Sequence, residues 1–255
     1  REQFISAEFA SSPASGLAWT ARAYAQNQAF ASTFSSVNGS RTQETPASDQ
    51  FDVPATAAGA AWTATWTGAG DTLTTAGIDG RVVHGETRED SGLVAGAFTR
   101  RRYAGGRQEN AGLFIVHRRA LTPSIQATAG LRLDAWRDRN GHRRDLLNGA
   151  LSASESYADA SGEEWSPGGG IVWTAQENFR VHVSGQQSFR RPTLNELYRP
   201  FRVGNVITDA NPALATEQAT SAEIGATYTT GSFVLEGAVF RTQLDDAVAN
   251  VTLAS

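Results

Sequence analysis

The sequence lacks cysteine, methionine and lysine altogether. Without cysteine the chain has no disulfide, thiol nucleophile or cysteine-based zinc site. Without lysine it has no P-loop lysine, Schiff-base lysine or Ser–Lys pair, and all 22 of its basic residues are arginine. The signatures G-x-S-x-G, G-x-G-x-x-G and H-E-x-x-H are missing as well. We therefore expect no catalytic residues, no cofactor and no metal site.

Long apolar runs are also missing. No stretch of about 18 apolar residues occurs, so no transmembrane helix is expected. The mean hydropathy is −0.34, which leaves transmembrane β-strands open because such strands are apolar on one face only. The formal net charge of −4 argues against a nucleic-acid partner.

What the sequence does contain is period-two alternation of apolar and polar residues, the pattern of β-strands. In residues 124–136 the apolar positions are Ile125, Ala127, Ala129, Leu131, Leu133 and Ala135. A second alternating run covers residues 179–190. In a barrel wall the apolar face would point to lipid and the polar face to the lumen. We expect the lumen-facing residues to include Arg132, Asp134, Arg180 and His182.

Ten segments are predicted to be strands: 3–10, 17–30, 58–67, 72–84, 108–119, 124–137, 164–175, 179–190, 218–229 and 233–246. Most of them exceed the roughly 5–6 residues typical of soluble sheets and approach the roughly 9–11 residues that cross a bilayer.

Short and long connections alternate between these strands. Short turns are predicted at 11–16, 68–71, 120–123, 175–178 and 229–232. Long polar segments, predicted to be loops, cover about 36–57, 85–106, 138–163 and 191–217. Several such loops are rare in compact soluble domains but typical of outer-membrane barrels. The predicted fold class is all-β: an antiparallel meander forming part of a transmembrane β-barrel, with short turns on one rim and long loops on the other.

A more specific signal begins near the end of the eighth predicted strand. It reads Phe189-Arg190-Arg191-Pro192-Thr193-Leu194-Asn195-Glu196-Leu197-Tyr198, followed by Asn211-Pro212-Ala213-Leu214, Glu217 and Glu223-Ile224-Gly225. In order and spacing it resembles the FRxPTLNELY, NPxL, E and ExG progression of TonB-dependent outer-membrane receptors. The family often has a proline beside the glutamate after NPxL, which is missing here. The resemblance is strong over residues 179–246. Elsewhere it is limited to the general pattern of barrel strands and their connections.

The resemblance implies a barrel of 22 strands with an N-terminal plug that contacts TonB. Ten predicted strands are under half of that number. The chain also begins at Arg1 and ends at Ser255 without a signal peptide, a plug or a last strand with a terminal aromatic residue. We therefore expect residues 1–255 to be a partial outer-membrane β-barrel domain, with the plug domain, signal peptide and C-terminal strands absent.

The motif also has a physical interpretation of its own. Pro192 ends the preceding strand because proline cannot donate to the ladder. Thr193 and Glu196 have the spacing of a helix capping box, and Asn211-Pro212 favours a turn. We interpret the motif as mainly structural, organising a loop at the outer mouth of the barrel. The residues so assigned are Phe189, Pro192, Leu194, Glu196, Leu197, Asn211, Pro212, Leu214, Glu217, Glu223 and Gly225.

Two clusters of arginine and tyrosine are the candidates for ligand contact, because guanidinium groups bind carboxylates and phosphates and rings can stack. An anionic chelate or a lipopolysaccharide phosphate would suit both clusters, and a solvated loop face is the alternative. The first cluster comprises Arg100, Arg101, Arg102 and Tyr103. The second comprises Arg190, Arg191, Tyr198, Arg199 and Arg202. The four histidines show no metal-ligand spacing.

By resemblance, the leading hypothesis is a receptor for TonB-coupled, energy-dependent uptake of a scarce nutrient such as a ferric siderophore or cobalamin. The implied location is the outer membrane of a Gram-negative bacterium, and no enzymatic activity is implied. The implied partners are outer-membrane lipid and lipopolysaccharide, the TonB complex through the plug, and a small-molecule substrate such as a metal chelate. The alternatives are a passive outer-membrane porin and a soluble β-sandwich binding module.

Overall fold

The computed structural model describes residues 1–12, 16–203 and 206–250. Most of these residues lie in strands. The strands before the motif are β1 (Glu2–Ser11), β2 (Leu17–Val37), β3 (Glu44–Gly68), β4 (Thr72–Val94), β5 (Ala97–Thr122), β6 (Ile125–Leu147), β7 (Ala150–Ser156), β8 (Ala160–Gln176) and β9 (Phe179–Arg190). They are followed by the helix α1 (Leu194–Tyr198) and the strands β10 (Phe201–Val203), β11 (Val206–Thr208), β12 (Glu217–Thr230) and β13 (Phe233–Asp245).

Eleven strands form one open antiparallel sheet in the order β1-β2-β3-β4-β5-β6-β8-β9-β12-β13, with β7 also paired to β6. β7 and β8 pair with successive parts of β6 and together act as one interrupted neighbour of it. β10 and β11 form a separate small hairpin. This meander confirms the predicted fold class. Because it is a single sheet rather than two packed sheets, the β-sandwich alternative is wrong.

Three of the four segments predicted as long loops are largely paired strand, so that prediction was wrong. β4 runs into β5 through Ala95-Gly96, and β6 runs into β7 through Asn148-Gly149. The central residues of these turns have φ of 49° and 84°, and of 51° and 82°, as in type I′ hairpins. In these segments both faces of the strands carry polar residues, so the sequence shows no period-two pattern, although the strands remain paired. The segment between β9 and β12 does lack a long strand.

The distribution of buried residues is inverted relative to a water-soluble domain. Among the described residues other than glycine and proline, the buried set contains four hydrophobic residues and ten polar or charged ones. Large apolar side chains are instead exposed, with Leu113 at 54% and Leu131 at 40% of their maximal accessible area. A sheet with this pattern needs an apolar medium on one face.

The register assigns the polar residues of β6 and β9 to one face of the sheet. Arg132 pairs across the sheet with Ser166, and Gly130 with Gly168, which in turn pairs with Gln186. Since alternate residues share a face, Arg180 and His182 lie on the same face as Arg132 and Asp134. We call this the polar face. Within the described ranges, no helix has the length and hydropathy needed to cross a membrane.

Candidate functional site

The polar face carries a segment that runs across it, residues 191–203, which we call the strap. The strap begins where Pro192 ends β9 and turns at once into α1. Thr193 caps this helix: its backbone N–H donates to Glu196 Oε2 at 2.7 Å, and the Glu196 N–H donates to Thr193 Oγ1 at 3.3 Å. The capping box predicted from the sequence is therefore confirmed.

Glu196 also ties the strap to the sheet. Its carboxylate accepts two hydrogen bonds from the Arg190 guanidinium, at 3.0 and 3.1 Å, and Arg190 also contacts Glu217 at the start of β12. The hydrogen bonds from Arg190 hold the pKa of Glu196 below its ordinary value, against a smaller opposing effect of burial. One guanidinium thus joins the end of β9, the helix and β12.

Aromatic packing seats the end of the helix against the wall. Tyr198 is 3% exposed, and its ring stacks on that of Tyr157 with centroids 5.1 Å apart. A Cβ atom added at Gly141 would lie 2.5 Å from Tyr198 Cζ, so the ring needs a glycine beneath it. Burial raises the pKa of Tyr198. It also raises the pKa of Tyr157 to about 12, together with a hydrogen bond to Glu155.

Two buried ion pairs hold the strap at its ends. Arg191 pairs with Asp138 of β6 and lies 3.4 Å from the centre of the Trp136 ring. Arg199 pairs with Glu89 of β4. All four charged side chains are at least 86% buried.

Neutral hydrogen bonds complete the attachment. Gln108 Nε2 donates to the Pro192 carbonyl at 2.9 Å, and Thr87 Oγ1 donates to Asn195 Oδ1 at 3.2 Å. Arg102 donates to the Pro200 carbonyl. The strap is therefore bonded to β6, β5 and β4, which lie two, three and four strands away in the sheet from β9, the strand that it leaves.

Most of the other motif residues also make structural contacts. Asn211 Oδ1 accepts from the Ala213 N–H at 2.9 Å, which forms the expected turn at Asn211-Pro212. Glu223 bonds His182 Nε2 at 2.9 Å. A Cβ at Gly225 would lie 2.4 Å from His182 Cε1. These contacts support the structural interpretation of the motif.

The structure divides the first predicted ligand cluster between the two faces. Arg101 points away from the polar face, bonded to both oxygens of Asp90 at 2.7 and 2.8 Å. Tyr103 shares that outer face, where the Arg144 guanidinium lies 4.8 Å from its ring centre. Arg102 is on the polar face and bonds Asp145 at 2.7 Å. Arg100 shares the polar face with Arg102.

The second predicted cluster is engaged within the protein. Arg190, Arg191 and Arg199 each pair with a carboxylate, and Tyr198 is buried. The Arg202 side chain lies outside the described residues. Their role in ligand binding stays a prediction.

A pocket of about 650 Å³ opens between the strap and the extended parts of β2 to β6. Four arginines line it: Arg100, Arg102, Arg143 and Arg199. Two acidic residues, Glu89 and Asp209, line it as well. Sequence reasoning missed Glu89 and Arg143 because their strands were taken for loops. The Asn148-Gly149 dipeptide, which is typical of a type I′ hairpin, was the available signal for the strand of Arg143.

No group of three or more acidic, histidine or cysteine residues that could hold a metal ion occurs in residues 1–12, 16–203 and 206–250. Three of the histidines have one side-chain partner each: His117 contacts Thr74, His142 contacts Glu86 and His182 contacts Glu223.

These features define a class: an arc of β-barrel wall with an exposed apolar face and a strap pinned to its polar face. A family profile described as "TonB dependent receptor-like, beta-barrel" matches residues 2–255. The chain therefore belongs to the TonB-dependent receptor β-barrel family. This is a family of outer-membrane transport receptors, not of enzymes. No curated protein matches the chain by sequence.

Solved structures share the fold at low sequence identity. The ferric yersiniabactin uptake receptor FyuA from Yersinia pestis is 12% identical with a TM-score of 0.71 over 96% of this chain. The ferric-catecholate import receptor Fiu from E. coli K12, in its closed form, is 17% identical with a TM-score of 0.69 over 95%. The copper transporter OprC is 16% identical with a TM-score of 0.72 over 95%. The chain spans 36% to 40% of the length of these three structures.

Proposed function

We propose that the receptor containing this chain imports a scarce small molecule, such as a ferric siderophore or cobalamin, across the outer membrane. Uptake is driven by TonB, which acts through a plug domain of the kind that the family carries. The chain supplies part of the wall that holds the substrate and makes no chemical change to it.

The observation that carries this proposal is the pocket beside the strap. A passive pore needs an open channel, whereas a receptor needs a fixed surface that holds its substrate. Here the strap is fixed by two buried ion pairs and a stacked tyrosine, and it forms one side of a pocket of about 650 Å³. Ligand pockets in proteins have volumes of roughly 300–1,000 Å³.

The test is uptake by cells that carry the full-length gene. A deletion strain and a complemented strain are grown under iron limitation and supplied with iron-55 chelates or cobalt-57 cobalamin. We expect accumulation of at least one of them to require the gene, to stop when TonB is deleted and to stop with a protonophore. Uptake that depends on the gene but persists without TonB would establish a passive porin instead.

We further propose that the apolar face contacts outer-membrane lipid and that the arginines above it contact lipopolysaccharide phosphate. Ile115 and Leu113 are about half exposed on this face of β5. Nearer the Ala95-Gly96 hairpin, the same face carries Arg107, and Arg139 lies opposite it on β6. Arg107 and Arg139 are both 40–45% exposed. This order, apolar then cationic, matches an acyl layer below a phosphate layer.

A further inference from the structure

We propose that the pocket beside the strap selects anionic ligands and that Arg100 is the residue that recognises their charge. This inference rests on the proposed function, because it names the chemical class of substrate that the same receptor would bind. It concerns binding at the pocket and not the energy source of transport.

The other three arginines of the pocket are already paired with carboxylates of the protein. Glu89 lies 3.5 Å from Arg102 and also pairs with Arg199. Asp145 contacts Arg102 and Arg143, each at 2.7 Å. The two carboxylates are 5% and 7% exposed, so the network is buried and internally paired. Its guanidinium groups are engaged in contacts within the protein, which leaves them less available to a ligand than an unpaired arginine.

Arg100 differs from these three arginines in its surroundings. It is exposed, and within the described ranges its side chain makes no hydrogen bond or ion pair. Its cross-strand neighbours are uncharged, Ser91 on β4 and Leu147 on β6. Its guanidinium is therefore free to bind a carboxylate or another oxyanion through two parallel hydrogen bonds.

Hydroxyl groups extend this donor surface along one row of the sheet. Ser48 of β3 pairs with Ser91, which pairs with Arg100, and all three residues line the pocket. Neighbouring strands are about 4.8 Å apart, so the row spans roughly 10 Å. Such a row presents several donors to the edge of one ligand, whereas a cationic group there would meet Arg100 at short range.

Asp209 is the opposing feature, since it lines the pocket and carries negative charge. It belongs to the chain segment after β11. Its charge weakens anion binding, so its removal is expected to strengthen it. Asp209→Asn is therefore a second, independent variant, and its expected effect on anion affinity is opposite to that of removing Arg100.

The experiment measures binding to the purified full-length receptor by quenching of its tryptophan fluorescence. Four ferric complexes are the probes: a citrate and a tris-catecholate, which are anionic, and two trihydroxamates, one neutral and one cationic. The variants are Arg100→Ala, Arg100→Lys, Arg100→Glu and Asp209→Asn. The matched control is Arg101→Ala, which removes the same charge from the adjacent residue on the outer face.

We expect the wild-type receptor to prefer an anionic probe. Arg100→Ala should weaken the binding of that probe by about tenfold to a hundredfold, as expected for loss of a charged hydrogen bond. Arg100→Glu should weaken the binding further. Arg100→Lys should give an intermediate affinity, because lysine keeps the positive charge but cannot form two parallel hydrogen bonds. Asp209→Asn should tighten the binding. Arg101→Ala should leave it unchanged.

Three results would overturn the proposal. The first is an Arg100→Ala receptor whose affinity for the anionic probe is within twofold of the wild-type affinity. The second is an Arg101→Ala receptor that loses as much affinity for this probe as Arg100→Ala does. The third is a wild-type preference for the neutral or cationic probe, which would leave the proposed uptake function standing. A receptor that binds none of the four complexes would contradict the proposal, and one that also takes up neither these complexes nor cobalamin would contradict the uptake function as well.

Discussion

At the residue scale, the fit between Tyr198 and the glycines beneath it decides how the strap sits. A sheet surface is normally covered by side chains, and a ring can approach the backbone only where a side chain is missing. Gly141 and Gly106 provide that space on adjacent strands. A residue in the motif thus depends on residues more than fifty positions away in the chain.

Gly141→Ala is expected to destabilise the receptor by about 1–3 kcal/mol, because the new Cβ overlaps the Tyr198 ring. The measurement is the temperature at which purified full-length receptor loses its fast-migrating folded band on gels. Gly237→Ala is the control, since a Cβ there meets nothing within 4 Å. In a receptor that already carries Tyr198→Leu, the loss of stability caused by Gly141→Ala should be smaller. An equal cost in both backgrounds would disprove the contact.

The ion pair between Glu196 and Arg190 predicts a dependence on pH. The pKa of Glu196 is lowered from its ordinary value of 4.5, so its contribution to stability is present above that value. The contribution is lost as the pH falls below 4.5 and through the lowered pKa. The unfolding midpoint of the wild-type receptor should therefore drop more steeply below 4.5 than that of Glu196→Gln. Parallel curves for the two proteins would refute this.

At the element scale, the strap behaves as part of the wall and not as a free loop. It has five residues of helix, yet it bonds to three strands of the sheet. Buried ion pairs add modest net stability when intact, but loss of one partner leaves an uncompensated charge. The strap is therefore held in one place more firmly than its secondary structure suggests.

Arg191→Ala is expected to cost about 3–5 kcal/mol, because it leaves Asp138 charged while 96% buried. Urea unfolding of the full-length receptor gives the cost, and faster amide exchange in the strap gives its location. The control is Arg22→Ala. Arg22 pairs with Glu8, but the two side chains are 68% and 50% exposed, so about 0–1 kcal/mol is expected. Equal costs for the two variants would contradict the prediction.

At the scale of the whole molecule, the sheet has one face suited to lipid and one suited to water. The apolar face is the larger expanse of exposed hydrophobic side chains, and the polar face carries the charges, the strap and the pocket. An isolated sheet of this kind has two open edges, at β1 and β13. Unpaired strand edges do not persist in lipid. The arc therefore functions within a closed barrel.

Leu131→Arg should impair assembly of the full-length receptor, because an arginine on the lipid face near mid-bilayer costs about 2–4 kcal/mol. Thr128→Arg, on the polar face of the same strand, is the control and should be tolerated. The amount of folded receptor in outer-membrane fractions measures both effects. Normal assembly of Leu131→Arg would mean that this face does not contact lipid.

The sequence predicted the strands that cross the apolar layer better than it predicted those beyond it. All ten predicted strands overlap observed ones, because lipid-facing residues impose a period of two. Outside that layer both faces are wet, so the alternation disappears, as in residues 97–103. For the neighbouring strands β6 and β7, the Asn148-Gly149 turn between them was the remaining local signal, and it was missed.

The candidate site was predicted in part. Arg100 and Arg102 were singled out as candidate ligand contacts, and the structure places both on the polar face, where their role in binding stays a prediction. The helix cap at Thr193 was identified from two residues. The most distant partners of the arginines could not be identified: Asp145 lies 43 positions from Arg102, Asp138 lies 53 from Arg191, and Glu89 lies 110 from Arg199. Composition and periodicity contain no information on such distant pairs.

The sequence by itself determined the class of fold, the meander and the family, since each of these depends on local alternation or on a contiguous motif. Only the tertiary structure decided which arginines pair with carboxylates and which one stays available, because sheet register and the course of the strap set those contacts. Local residue preferences act over a few positions, whereas ion pairing depends on which strands become neighbours.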